Sequence, residues 1–329
     1  MRCCVIGGGG FIGRNLCAAL AASGREVVAI GRKAEPSSGF AGLPSFVNGS
    51  VRYLSMDVND IPALRTVLAS SDEVIDLAYA TVPQTSFIDP MNDLQSNLPR
   101  VVALMEELKN HPQLRRFIVV SSGGTVYGQA SRLPISEYSE TEPLSPYGIT
   151  KLTIERYALM YHRLHGLPVV VVRPANAYGQ GQQPFLGQGF IATAMGNILQ
   201  GKNVSVFGER GTVRDYVHVR DVASAMVAAL QHGINGDVYN IGSGVGRSNL
   251  EVIDLIRPLA QQLNLPVNVS HEPERKFDVT ANVLNFGRLL SCTGWLPKIS
   301  IEEGLQEMWQ GFTALSDGPK KNVSQPRND

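Results

Sequence analysis

Apolar residues occur along this chain as short runs with little polar alternation: Cys3-Cys4-Val5-Ile6, Glu26 to Ile30, Val74 to Ala78, Phe117 to Val120 and Val169 to Val172. Between the first two runs, Phe11, Ile12, Leu16, Ala19 and Leu20 recur at helical spacing, and Ser23-Gly24 stops the pattern after Ala22. Strands without alternation are covered on both faces, and helices between them supply the crossovers that parallel neighbours need. The pattern predicts a doubly wound, Rossmann-type α/β domain with a parallel sheet over residues 1–173.

After residue 173 the text changes. Pro174 to Gly189 is rich in Gly, Gln and Pro and reads as a binding loop. Helices are predicted over Phe190–Gln200, Asp221–His232 and Asn249–Gln262, with short strands at Val204–Phe207 and Val238–Ile241. Asp221 is the expected N-cap of its helix, and Ser248-Asn249-Leu250-Glu251 reads as a capping box. These elements suggest a smaller α/β domain over 174–315, with the chain returning to the first sheet near 236–243. Residues beyond about Thr313 are polar and read as frayed, with a flexible tail over 316–329. In the first half a helix is expected over Val101–Lys109. Asn97 before it is either an ordinary helix-start residue or a neighbour of the active centre.

Composition narrows the class. With 329 residues, 43% apolar and 18% charged, the chain can bury a real core and is not a disordered one. Lys+Arg equals Asp+Glu, which points away from nucleic acid and from anionic membrane surfaces. No apolar run reaches eighteen residues and no leader pattern is visible, so a soluble, cytoplasmic protein is expected. The four cysteines (Cys3, Cys4, Cys17, Cys292) follow no zinc or disulfide spacing, and no metal is expected.

Two motifs carry chemistry. Gly7, Gly10 and Gly13 lie between a strand and a helix, where a G-x-x-G-x-x-G turn lets the backbone approach a pyrophosphate at the positive end of the helix. A purely structural glycine turn is the bland alternative. At the end of the second strand, Ile30-Gly31-Arg32-Lys33 stands where an NAD enzyme often has an acid for the ribose diol. Arg32 either meets a 2′-phosphate, favouring NADP, or stacks on adenine, or points to solvent. Asp57-Val58, after a third short strand, is a candidate adenine contact. Further on, Ser145-Pro146-Tyr147-Gly148-Ile149-Thr150-Lys151 opens a helix and puts Tyr147 and Lys151 on one face. A phenol titrates near 10, and lowering that to about 7 takes roughly 4 kcal/mol, which one or two close cations in a shielded site can supply.

Together with Ser121 to Gly128, Arg173-Pro174-Ala175-Asn176-Ala177-Tyr178-Gly179, Arg214-Asp215-Tyr216-Val217-His218-Val219 and Tyr239-Asn240-Ile241-Gly242-Ser243-Gly244, these segments resemble the extended short-chain dehydrogenase/reductases. Within them the chain is similar to UDP-galactose 4-epimerase-like nucleotide-sugar epimerases. The resemblance implies a transient oxidation at the sugar 4-position, with Tyr147 as base and NAD as cofactor, in an enzyme of polysaccharide biosynthesis. It implies cofactor contacts at Phe11, Ile12, Leu77 and Ala78, and substrate contacts at Thr81, Asn176, Arg214, Arg275 and Asp278. It also implies a homodimer through helix 101–109 and the Tyr147 helix. Two positions depart from the family. Gly123 replaces a Ser or Thr that bonds the reacting sugar oxygen. Strand parity would set Ser121 and Thr125 on the side Gly123 faces, so either a displaced hydroxyl, Thr125 or Ser122, or a water is the expected substitute. Asn282 stands where some family members have a bulky Tyr beside the sugar, which would leave room for a C2 N-acetyl group. A 4,6-dehydratase needs carboxylates that Gly123-Gly124-Thr125 does not offer. The alternatives are an NADPH-consuming 4-keto-sugar reductase and a non-catalytic nucleotide sensor.

Overall fold

The computed structural model describes residues 1–33, 50–275 and 278–316. Its first half runs β1 (Arg2–Ile6), α1 (Phe11–Ala22), β2 (Glu26–Gly31), β3 (Val51–Ser55), α2 (Ile61–Ala69), β4 (Glu73–Asp76), α3 (Pro83–Ile88), α4 (Pro90–Leu108), β5 (Arg116–Val120), α5 (Pro146–His165) and β6 (Val169–Pro174). Then come β7 (Asn176–Tyr178), α6 (Phe190–Leu199), β8 (Val204–Phe207), β9 (Val213–His218), α7 (Val219–His232), β10 (Val238–Ile241), β11 (Gly246–Ser248), α8 (Asn249–Gln261), β12 (Val269–Glu272), β13 (Ala281–Asn282), α9 (Gly287–Thr293) and α10 (Ile301–Ser316).

Seven strands form one parallel sheet in the order β10-β6-β5-β4-β1-β2-β3. Residue alternation in β1 explains the unbroken apolar runs. Cys3 and Val5 pack on one face with Leu16 and Cys17 of α1 and Val222 and Met226 of α7. Cys4 and Ile6 pack on the other with Leu64 of α2, Leu104 of α4 and Ile154 of α5. All six residues of β6 are buried. A third core joins α6, β8, α8 and α10 through Ile191, Val206, Ile253 and Trp309. Beside it, β9 pairs with β11, β13 and β7, and β8 pairs with β12.

Several boundaries differ from the sequence reading. The helix expected at Val101 begins at Pro90, capped by Asp89, whose carboxylate accepts the Asn92 N–H at 2.9 Å. Pro99 lies inside α4 and forfeits one backbone bond without ending the helix. Asn97 is therefore a mid-helix residue and not a helix start. Asp221 is not the N-cap of α7, a place taken by His218. Its buried carboxylate instead accepts the N–H groups of Lys298 and Ile299 at 3.1 and 2.9 Å, tying the segment before α10 to α7. α10 stays helical to Ser316, past the point read as frayed and into the first residue of the tail expected over 316–329; the rest of that tail lies outside the described residues. The capping box at α8 forms: Ser248 Oγ accepts the Glu251 N–H, and Glu251 accepts the Ser248 N–H at 2.7 Å.

Candidate active site

A cleft opens at the carboxyl ends of β1, β4, β5 and β6, where the chain, having laid β2 and β3 on one side of β1, crosses to place β4 on the other. Open α/β sheets hold ligands at such a switch point. The cleft has two lobes of about 480 and 500 Å³ that share Gly7, Gly10, Phe11, Leu77 and Tyr79.

The glycine turn forms the floor. Gly7 has φ +86°, and a Cβ there would meet the Ala78 backbone N at 2.9 Å. A Cβ on Gly13 would collide with the Gly7 carbonyl and lie 2.7 Å from the Gly8 Cα, so α1 seats directly on the turn. Gly10 is the N-cap of α1 and offers no side chain to its free N–H groups, and the first turn carries no acid. That leaves amide donors for an anion.

The first lobe adds Arg14, Arg32, Lys33, Tyr53, Val58, Ala78, Asn97 and Arg100. Arg100 forms a buried two-point ion pair with Asp76 at 3.1 and 2.9 Å and also donates to the Ala78 carbonyl at 2.7 Å. The second lobe adds Ile12, Gly13, Thr81, Ser121, Ser122, Tyr147, Lys151, Asn176, Arg214 and Tyr216. Among the described residues the cleft wall carries six Lys or Arg side chains and no carboxylate. A nucleoside diphosphate, and a dinucleotide beside it, suit that balance.

Tyr147 and Lys151 are set by the start of α5. Ser145 Oγ accepts the Gly148 N–H at 3.1 Å, Pro146 takes the first turn where no donor is needed, and the Tyr147 N–H donates to Ser86 Oγ at 3.2 Å. Lys151 is buried and donates from Nζ to the Val120 carbonyl at 2.9 Å. Burial lowers its amine to about 8, with Asp76 pulling up, Arg100 pulling down, and Asp93 and Glu155 pulling up. Burial, with Asp93 adding to it, pushes the Tyr147 phenol well above its ordinary value. In this arrangement the phenol stays protonated until further positive charge is brought beside it.

Most of the expected site residues meet here: Gly7, Gly10, Phe11, Ile12, Gly13, Arg32, Val58, Leu77 and Ala78, then Thr81, Ser122, Tyr147, Lys151, Asn176 and Arg214. Others stand outside the wall. Asp57 is exposed, and its carboxylate caps Asn59 at 3.0 Å. Arg275 lies over the Phe207 ring at 3.5 Å, and the Asp278 N–H bonds its carbonyl at 3.0 Å; the intervening Lys276 and Phe277 lie outside the described residues.

β5 ends at Val120, so the strand parity expected for Ser121, Gly123 and Thr125 does not hold. Ser121 Oγ turns inward to Glu155, and Thr125 Oγ1 is buried without a partner, away from the cleft. Ser122 is the expected hydroxyl that reaches the wall. Gly123 packs against Leu284, where a side chain would collide, and its carbonyl accepts from Asn282 Nδ2 at 3.0 Å. Asn282 is thus a buried anchor of the turn, and the room expected from it for an N-acetyl group does not arise there.

A family model described as NAD dependent epimerase/dehydratase matches residues 3–242. The chain belongs to that family. A relative within reach of it by sequence is the UDP-glucose 4-epimerase of Mycolicibacterium smegmatis, 32% identical over 315 residues, covering 95% of this chain and 98% of that one. The crystal structure of the UDP-glucose 4-epimerase of Thermotoga maritima with UDP-glucose matches with a TM-score of 0.85 at 31% identity, covering 96% of this chain and 100% of that one. The Thermus thermophilus UDP-glucose 4-epimerase in complex with NAD matches with a TM-score of 0.83 at 29% identity, covering 95% and 99%. Sequence reasoning missed Arg14, Tyr53, Tyr79, Arg100, Gln182 and Tyr216 of the epimerase/dehydratase cleft. Tyr79 and Arg100 had a usable signal: polar or aromatic groups just past a parallel strand end, and one helical turn beyond Asn97.

Proposed function

We propose that this protein is an NAD-dependent 4-epimerase of a nucleotide sugar, a UDP-hexose in plain, N-acetylated or uronic form, working in the cytoplasm to supply sugar donors for polysaccharide assembly. One observation carries the reading. Tyr147 and Lys151 open onto the same lobe as Arg214 and Asn176, and that lobe is continuous with the glycine turn. When bound, NAD supplies a positively charged ring that accepts a hydride from carbon and returns it. The chain's residues do the rest. Gly7, Gly10 and the amides at the start of α1 would hold the dinucleotide diphosphate, with Lys151 and Arg100 supplying positive charge from the same cleft. Arg214 offers a guanidinium to the sugar-linked diphosphate; its Nη1 is fixed by the Val213 and Val279 carbonyls at 2.9 and 2.7 Å. Ser122 bonds the sugar 4-oxygen, and Tyr147 takes that hydroxyl's proton as C4 is oxidised to the ketone and gives it back on reduction at the opposite face. Among the described residues the wall carries no carboxylate, which supports epimerisation over 4,6-dehydration, a reaction that needs acids to take the C5 proton and expel the C6 hydroxyl.

The test is incubation with UDP-glucose, UDP-N-acetylglucosamine and UDP-glucuronic acid plus NAD, followed by NMR of the sugars. A 4-epimer should accumulate with no net change in nicotinamide absorbance, and Tyr147→Phe should slow it about a hundredfold or more. Stoichiometric NADPH consumption would mark a 4-keto-sugar reductase instead. Full activity in Tyr147→Phe would remove the catalytic reading altogether. The reading includes a homodimer, supported by exposed apolar side chains along α4 and α5: Met91, Leu94, Ile149, Tyr157, Met160 and Leu164.

A further inference from the structure

The Lys151 ammonium does not rest against the phenol it serves. Nζ lies 4.0 Å from the centroid of the Tyr79 ring and 5.7 Å from that of Tyr147. The Tyr79 ring in turn meets the Tyr147 ring edge-on, with centroids 4.8 Å apart and planes at 65°. Tyr79 follows β4 by three residues and lines both lobes of the cleft, so it stands where they join.

Its place is fixed from behind. The Tyr79 hydroxyl approaches the Asp93 carboxylate at 3.4 Å, and Asp93, fully buried on α4, also accepts the Thr81 hydroxyl. Asn97, one turn along α4, accepts the Ala80 N–H at 2.8 Å and donates to the Asp93 carbonyl at 2.7 Å. The segment 79–81 therefore hangs on α4 by side-chain bonds, while the ring presents itself to α5. A buried ammonium gains most from an aromatic face where water is excluded. Val120 satisfies one Lys151 N–H, and the ring face fixes where the charge sits.

We propose that Tyr79 is a positioning residue whose ring holds the Lys151 ammonium, and with it the edge of Tyr147, in the working arrangement. This rests on the reading of Tyr147 as the base. Other charges bear on the pair. Asp76, Asp93 and Glu155 favour the Lys151 cation and Arg100 opposes it, while Asp93 opposes ionisation of Tyr147. Tyr79 adds what none of them gives, a contact surface that fixes the charge in space.

Two substitutions in the full chain separate ring from hydroxyl. Tyr79→Leu removes the aromatic face and keeps bulk; Tyr79→Phe keeps the face and loses the bond to Asp93. With NAD and the substrate found in the panel, Tyr79→Leu should lower kcat about tenfold or more with KM within about threefold, and should move the acidic limb of the kcat profile upward. Tyr79→Phe should recover to within about threefold of the parent. A readout that needs no coenzyme is NMR titration of carbon-13-labelled lysine, with the Lys151 signal assigned by its loss in Lys151→Met. The Lys151 amine should release its proton about one pH unit lower in Tyr79→Leu and near the parent value in Tyr79→Phe. An unchanged Lys151 titration in Tyr79→Leu, or equal impairment of the two variants, would overturn the proposal. Should Tyr79→Leu not fold, Tyr79→Met carries the same expectations. Full activity in Tyr147→Phe would instead remove the catalytic reading and leave the lysine titration to judge Tyr79 alone.

Discussion

At the scale of single residues, Lys151 is a charged group kept where the fold pays for it. Its folded value of about 8 lies below the ordinary 10.5, because burial disfavours the ammonium. Between those two pH values the unfolded chain holds a proton that the native one has released, so stability rises with pH across that window. Below about pH 8 the buried ammonium costs about 3 kcal/mol. Lys151→Met should therefore raise Tm by a few degrees at neutral pH, a gain that shrinks as pH approaches 10, while epimerisation falls about a hundredfold or more. Thermal melts at two pH values check it; a lower Tm at neutral pH would contradict it. Tyr147 and Lys151 were legible because a four-residue spacing survives translation into a helix. Tyr79 carried the signal of an aromatic just past a parallel strand end, but its contact with Lys151 depends on where β4 ends relative to α5, a distance that no local pattern encodes. Asn282 misled for a related reason. Its size was read as space beside a sugar, whereas its amide faces the Gly123 carbonyl.

At the scale of elements, the Gly123-Gly124 turn is shaped by the segment after β13 that packs on it. A Cβ at 123 would overlap the Leu284 Cδ1 and come within 2.9 Å of the Arg173 carbonyl. Gly123→Ser, which writes back the family's usual hydroxyl, should therefore lower stability by about 1–3 kcal/mol and not speed turnover. Thermal unfolding together with initial rates would show it, and a faster, equally stable variant would argue against the packing account. The parallel strands of the first half were legible because burial on both faces leaves apolar runs. α2, α3 and α10 were not, being short, proline-led or distant from any motif. Pro99 disguised the first half of α4, because one lost backbone bond in a helix pinned by tertiary contacts is tolerated. Asp221 looked like a cap because the residue type suits one, but its carboxylate was needed by the segment entering α10.

At the scale of the whole molecule, the apolar side chains left exposed on α4 and α5 predict association of two copies. The double substitution Tyr157→Asp, Met160→Asp should halve the mass seen by light scattering and leave the circular dichroism of the helices unchanged. A parent already monomeric at micromolar concentration would remove the dimer. The carboxyl ends of β1, β4, β5 and β6 meet the loop after β7 and strand β9 around one cleft, so neither half of the sequence owns the site. The pairing of β6 with β10 carries this further. During synthesis the valine-rich β6 leaves the ribosome well before β10 exists. Until then its outer edge is a row of unanswered amides and carbonyls between two greasy surfaces, a ready template for a stray chain. Cutting the protein where its composition changes, near residue 174, would make that hazard permanent.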